Sequence, residues 1–261
     1  MHTPSLRHGR TGWMRTAWPL LTALLLAACA GGPGADRLSS TDPNIQMGRA
    51  ALAGGAPALA LNAGTTVLNE HPRDPEGLAL QADALSALGR GNEAVPVYRQ
   101  LLALDPKSVN GHIGLGRVLL ASDPAEAERE FLTVLTLAPD TAVAANNLGI
   151  ARDLQGHHLE AQAAYRRALG LAPSLQAASV NLALSLGMSG HAADAVPLLR
   201  PLVEASSADA KLRQNLAAAL AMSGQRDSAA RLLSRDMAPN EVQAALDRFV
   251  ALTKELSLIH I

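Results

Sequence analysis

The chain has 261 residues, a formal net charge of -1, 48% hydrophobic residues and only 2% aromatics. A near-neutral balance excludes the strong global field that draws proteins to nucleic acid. Scarce aromatics argue against a sheet architecture, and a core of Ala and Leu has to be thin, which suits helices in near contact.

Residues 1–28 read as a targeting segment and are set apart from the fold. Arg7, Arg10 and Arg15 make a positive start, and Pro19 to Ala28 is a short apolar run. As a helix that run spans roughly 15 Å, about half a bilayer core, so it is not a membrane-spanning helix. It ends Leu26-Ala27-Ala28-Cys29, and Cys29 is the one Cys of the chain. This resembles the lipobox of bacterial lipoproteins, which implies cleavage before Cys29, a diacylglyceryl group on its thiol and an acylated amine. Several acyl chains anchor stably where one binds only marginally. Ala30, in place of Asp, implies the outer membrane by that family's sorting rule, with the chain on the periplasmic face. A lone Cys excludes an intrachain disulfide framework. Residues 29–40, rich in Gly, Ser and Ala, read as a flexible tether.

From residue 41 the sequence repeats in six units: 41–74, 75–108, 109–141, 142–175, 176–209 and 210–237. Position 20 of each is Ala60, Ala94, Ala127, Ala161, Ala195 and Ala229, and position 8 is Gly48, Ala82, Gly116, Gly149, Ala183 and Ala217. Small residues at these two places let paired helices approach to the short end of the usual 8–10 Å range. Position 7 is Met47, Gln81, Leu115, Leu148, Leu182 and Leu216, and an aromatic stands at position 24 in Tyr98, Phe131 and Tyr165, filling the space beside the small residues. Gly55, Gly89, Gly156, Gly190 and Gly224 mark the turn at position 15, and Pro72, Pro106, Pro139 and Pro173 close four units. The third unit lacks the turn Gly, runs Ser122-Asp123-Pro124 instead, and aligns with one residue deleted. Two units depart from the pattern. The first has Gly64 at position 24, which predicts fraying, and the fifth has Pro201, which predicts a second helix kinked or cut short.

This spacing resembles the 34-residue tetratricopeptide (TPR) pattern. The resemblance implies an all-α TPR solenoid, a right-handed superhelix of about six helix-turn-helix repeats in which neighbours share one core. Residues 238–255 read as a C-terminal capping helix, with Asn240 and Gln243 spaced as a capping box and Val242, Ala245, Leu246, Phe249 and Val250 at helical spacing. The closing residues 256–261, LSLIHI, resemble translated adapter sequence and carry no argument.

No catalytic constellation, P-loop, HExxH or GxSxG occurs, and no cofactor or metal is expected. His157 and His158 are adjacent in a turn, do not face one way, and have no third ligand beside them. An enzyme such as a repeat-bearing transferase has no room once six units and a tether are placed. Asn147, Asn181 and Asn215 all stand at position 6. In the TPR family the first helix lines the concave surface and position 6 faces it, so the resemblance implies a ladder of amides able to donate to and accept from an extended peptide. Lys211, Arg213 and Gln214 add polar and basic character at the sixth unit. Arg166 and Arg167 are placed on a solvated face. The Lys–Asn–Arg pattern of carboxylate clamps for chaperone tails is absent.

The lipobox, the repeats, RQNLAAALAMSGQRDSAARLLSRDM over 213–237 and the following NEVQAAL resemble the TPR lipoprotein of the tight-adherence (Flp-type) pilus assembly system, the TadD family. That implies an outer-membrane accessory that helps the pilus secretin or its partners assemble, with protein partners in the concave groove and neither nucleic acid nor a small-molecule substrate. The alternative is a periplasmic adaptor for cell-wall hydrolases or for outer-membrane protein assembly.

Overall fold

The computed structural model describes residues 42–205 and 209–259, so Cys29, the targeting segment and the tether lie outside the described residues. The described residues form thirteen α-helices and no strand. The first unit holds α1 (Pro43–Ala53) and α2 (Pro57–Glu70), the second α3 (Pro75–Ala87) and α4 (Gly91–Leu104), the third α5 (Val109–Leu119) and α6 (Pro124–Leu137). Then come α7 (Ala142–Leu154) with α8 (His158–Leu171), α9 (Gln176–Met188) with α10 (Ala192–Ala205), α11 (Ala210–Met222) with α12 (Arg226–Leu233), and finally α13 (Pro239–Ile259). Each helix packs on the next along the chain, as a TPR solenoid requires.

The pairing rests on small residues. Ala60, Ala94, Ala127, Ala161 and Ala229 have no exposed surface, and Ala195 has 1%. At position 8 the aromatic of the same unit lies over a bare backbone: a Cβ on Gly116 would stand 2.7 Å from the Phe131 ring, and one on Gly149 would run into Tyr165. In the second unit position 8 is Ala82, and Tyr98 lies instead over Gly114 of the next unit. Short turns join the helices of a pair; Gly156, at φ 81°, takes the left-handed geometry that costs any other residue.

Four expectations are corrected. Gly64 does not fray its helix, because α2 runs unbroken for 14 residues. It is a point of close approach, where a Cβ would stand 3.0 Å from the backbone nitrogen of Gln81, and Leu80 fills the hole over Gly48 that an aromatic fills elsewhere. Pro201 does not cut α10 short: the helix has 14 residues with Pro197 and Pro201 inside it. Both prolines are exposed, so the carbonyls they leave without an intrahelical donor face water. Met47 fills no space between helices; it is 46% exposed, since no described helix precedes α1 to cover it. The cap of α13 lies earlier than Asn240: the Glu241 carboxylate accepts from the Ala238 N–H at 2.9 Å, with Pro239 opening the helix.

At the far end α13 packs on α11 and α12 through Val242, Ala245 and Leu246. Its other positions up to Arg248 are exposed and mostly polar, as a terminal cap needs.

Candidate functional site: the inner face of the first helices

First helices of neighbouring units pack on one another at α1/α3, α3/α5, α7/α9 and α9/α11, whereas no two second helices pack as closely. A stack that is tighter on one side curves towards that side, so the first helices line the inner face. α9 shows which residues see solvent there. It is flanked by α7 and α11 and backed by α8 and α10. Its partly exposed residues include Ala177, Val180, Asn181, Leu184 and Met188, which fall on one helical stripe. The matching stripe of α11 is Lys211, Gln214, Asn215, Ala218 and Met222.

The face changes character half-way along. Position 9 is Arg49, Asp83 and Arg117 in the first three units, then Ile150, Leu184 and Ala218. Position 13 is Ala53, Ala87 and Ala121, then Leu154, Met188 and Met222. Burial raises the Asp83 carboxyl above its ordinary value, and the Tyr98 hydroxyl and the Arg117 and Arg49 charges oppose this only in part. Asp83 also accepts from the Tyr98 hydroxyl at 2.6 Å. Burial, then the Asp83 charge, push that hydroxyl far above the ordinary tyrosine value.

The amide ladder is only partly available. Asn147 is buried, 7% exposed. Its side-chain oxygen accepts from Asn146 at 3.3 Å, and the Asn146 oxygen accepts from Asn181 at 3.0 Å. Asn146, at position 5, is the residue that sequence reasoning missed; two adjacent asparagines are its one trace. Asn181 and Asn215 are half-buried, and Lys211 and Gln214 are exposed. Arg213 adds no basic character to the face. It is 7% exposed and donates to Asp236 from Nε at 2.7 Å and from Nη2 at 2.5 Å, tying α11 to the turn after α12.

Behind the face, polar groups lock the units together. Asp153 accepts from the Tyr165 hydroxyl at 2.9 Å and from Ser185 of the next unit at 2.8 Å, and His158 Nδ1 lies 2.8 Å from it. Burial first, and then the Asp153 charge, raise the Tyr165 hydroxyl well above its usual value. Glu128 of α6 accepts from Arg152 and from Gln155 of α7, each at 2.8 Å. In the third unit His112 is buried, with Nδ1 2.5 Å from Glu130 and Nε2 3.1 Å from the Pro106 carbonyl. His157, Arg166 and Arg167 are exposed. Among the described residues no group of His, Cys, Asp and Glu is placed to hold a metal, and no helix is long and apolar enough to cross a membrane.

A tetratricopeptide repeat family model matches residues 142–223 and 188–257, and a second such model matches 45–109 and 79–122. No curated protein matches the sequence. Among solved structures, PilW, described as a widely conserved type IV pilus biogenesis factor, is 21% identical with TM-score 0.67, over 84% of this chain and 97% of PilW. A thermophilic TPR protein of Thermus thermophilus is 24% identical with TM-score 0.58, over 68% of this chain and 97% of that one. YrrB, described as a TPR protein with an unusual peptide-binding site, is 20% identical with TM-score 0.55, over 74% and 98%. At these identities the likeness is one of fold, and the fold is that of protein-interaction scaffolds. With the repeat models spread over most of its helices, the chain belongs to the tetratricopeptide repeat family.

Proposed function

We propose that this protein is a lipid-anchored docking scaffold of the outer membrane that serves assembly of a Flp/Tad pilus secretion system, holding a segment of a partner protein on its inner face. The observation that carries the docking role is the solvent-facing stripe of α9 and α11, where Val180, Leu184, Met188 and Met222 keep apolar surface exposed on the inner side. Methionines there suit a surface that adapts to a ligand. The anchor rests on Leu26-Ala27-Ala28-Cys29, and the pilus role on the resemblance of 213–237 to the TadD family. Sharing a fold with a type IV pilus biogenesis factor is compatible with that role.

The test is cross-linking in the native host followed by recovery of the full chain from membranes. Secretin or other pilus secretion proteins are expected with the wild type and are expected to be lost with Leu184→Asp. Recovery unchanged by that substitution sinks inner-face docking; recovery of cell-wall hydrolases in their place sinks the pilus role. Cys29→Ser is expected to abolish palmitate labelling and release the chain from membranes, and retention with the label intact would refute the anchor.

A further inference from the structure

We infer that the inner face selects one kind of occupant: an extended protein segment with an apolar middle and an acidic residue near each end. This rests on the reading of the inner face as a docking surface and names what that surface recognises.

The apolar stretch of units four to six is bracketed by cations. On one side stands Arg117, exposed on α5 at position 9. On the other stands Lys211, exposed on α11 at position 2. Between them the inner positions 2 and 9 of units four and five carry Val143, Ala177 and Leu184, each with surface left in solvent, and the buried Ile150, with no charge among them. A segment laid along this face meets a cation, then aliphatic side chains, then a second cation. Acids at both ends complement it, and bases at both ends are repelled. A guanidinium meets a carboxylate through paired N–H donors, and an ammonium meets it as a point charge.

Spacing sets the length. The cations are three units apart, about 30 Å at the long end of the usual 8–10 Å separation, as the loosely packed α5/α7 step requires. An extended chain covers that in about nine residues. The amides decide for an extended chain over a helix. Asn181 lies on the same face between the cations and Asn215 one turn along α11 from Lys211, both half-buried with surface remaining. An extended segment offers its peptide N–H and C=O groups to such amides, while a helix keeps its own to itself.

The probe is a random 16-residue peptide library panned on the immobilised full-length chain in detergent. Enriched sequences are expected to carry an aliphatic run flanked by Asp or Glu about seven to nine residues apart. A fluorescein-labelled synthetic peptide of the enriched sequence is then titrated by anisotropy. Leu184→Asp, Arg117→Glu and Lys211→Glu are each expected to weaken it at least tenfold. A peptide with Lys replacing the acid that faces the changed cation is expected to recover most of the loss. Affinity within twofold of wild type in both charge reversals, or enrichment of basic segments, overturns this inference while leaving inner-face docking standing. If no enriched peptide is sensitive to Leu184→Asp, docking on this face falls and the inference with it. A dimer in solution that Leu184→Asp dissociates would assign the face to a second copy, and that also overturns it.

Discussion

Tyr165 and Tyr98 occupy the same place in their repeats and point in different directions, each ring lying on a glycine 16 residues away. In the fourth unit position 8 is Gly149, and the Tyr165 ring lies on its backbone. In the second unit it is Ala82, and the Tyr98 ring lies on Gly114 of the next unit. Gly149→Ala therefore puts a methyl into an occupied site and is expected to destabilise by about 1–3 kcal/mol, the usual cost of overpacking. Gly170, near the end of α8, is the control: a Cβ there meets nothing within 4 Å. Gly170→Ala is expected to be neutral or to stabilise by up to about 1 kcal/mol. Urea melts of the two variants check both; equal effects would mean that Tyr165 does not rest on Gly149. The sequence makes the small residues legible, because a fixed interval repeats them six times. It does not make legible which backbone an aromatic covers, since that depends on a neighbour 16 residues away. The same limit applies to the inner face. Position 6 marks Asn147, Asn181 and Asn215, yet Asn147 is buried against Asn146, a pairing that periodicity cannot reveal.

At the scale of the helix, the punctuation of the chain is read correctly where a single residue type decides it, and less well where water or a tertiary partner does. The turn glycines all have positive φ, from 72° to 85°. The prolines of α10 mislead because the rule against proline in a helix assumes that the freed carbonyl has no other partner, and here it faces solvent. Pro201→Ala restores an N–H for the Pro197 carbonyl. It is expected to stabilise by about 1–2 kcal/mol, less than the full helix-propensity difference because the unfolded chain regains freedom. Thermal melts check it, and a loss of stability would show that the ring makes packing contacts of its own. Arg213 misleads in the other direction. Its sequence position suggests the groove, but the bidentate pair with Asp236 uses it as a brace between α11 and the turn after α12. The Arg213 hydrogen bonds hold the Asp236 carboxyl below its ordinary range, against the opposing effect of desolvation. A carboxylate with a lowered folded pKa contributes stability above its unfolded pKa and loses it as pH falls through the folded one. Asp236→Asn is accordingly expected to lower the melting temperature at pH 7, and the gap to the wild type is expected to close as pH drops below the usual carboxylate range. A gap that persists unchanged at pH 2–3 would show that the loss is not electrostatic.

The whole array behaves as a row of units whose stability is the sum of each unit and its interfaces, so its weakest interface decides how it comes apart. An interface that lacks first-helix packing lies between units three and four. α5 and α7 barely meet, although the other neighbouring first helices pack on one another. Unit three, on one side of this interface, is also the unit that is one residue short, with the turn Ser122-Asp123-Pro124 between its two helices. What closes the seam is α6 on α7, with Glu128 accepting from both Arg152 and Gln155. Desolvation pushes the Glu128 carboxyl up, but those two hydrogen bonds together with the Arg152 and His157 charges outweigh it and the group ends below its ordinary range. With the Arg152 and Glu128 side chains 23% and 20% exposed, solvent screening reduces the pair to about 1 kcal/mol. Glu128→Ala is therefore expected to raise the opening of this seam about fivefold in amide hydrogen exchange, first in α6 and α7, and to split a single calorimetric transition into one for units one to three and one for units four to six. The seam is also where Arg117 gives way to the apolar half of the inner face, so a ligand spanning both sides is expected to restore the single transition. Uniform loss of protection along all units, or a transition that stays single in the variant, would show that the array is one cooperative block and that the junction at Glu128 is no weaker than the rest.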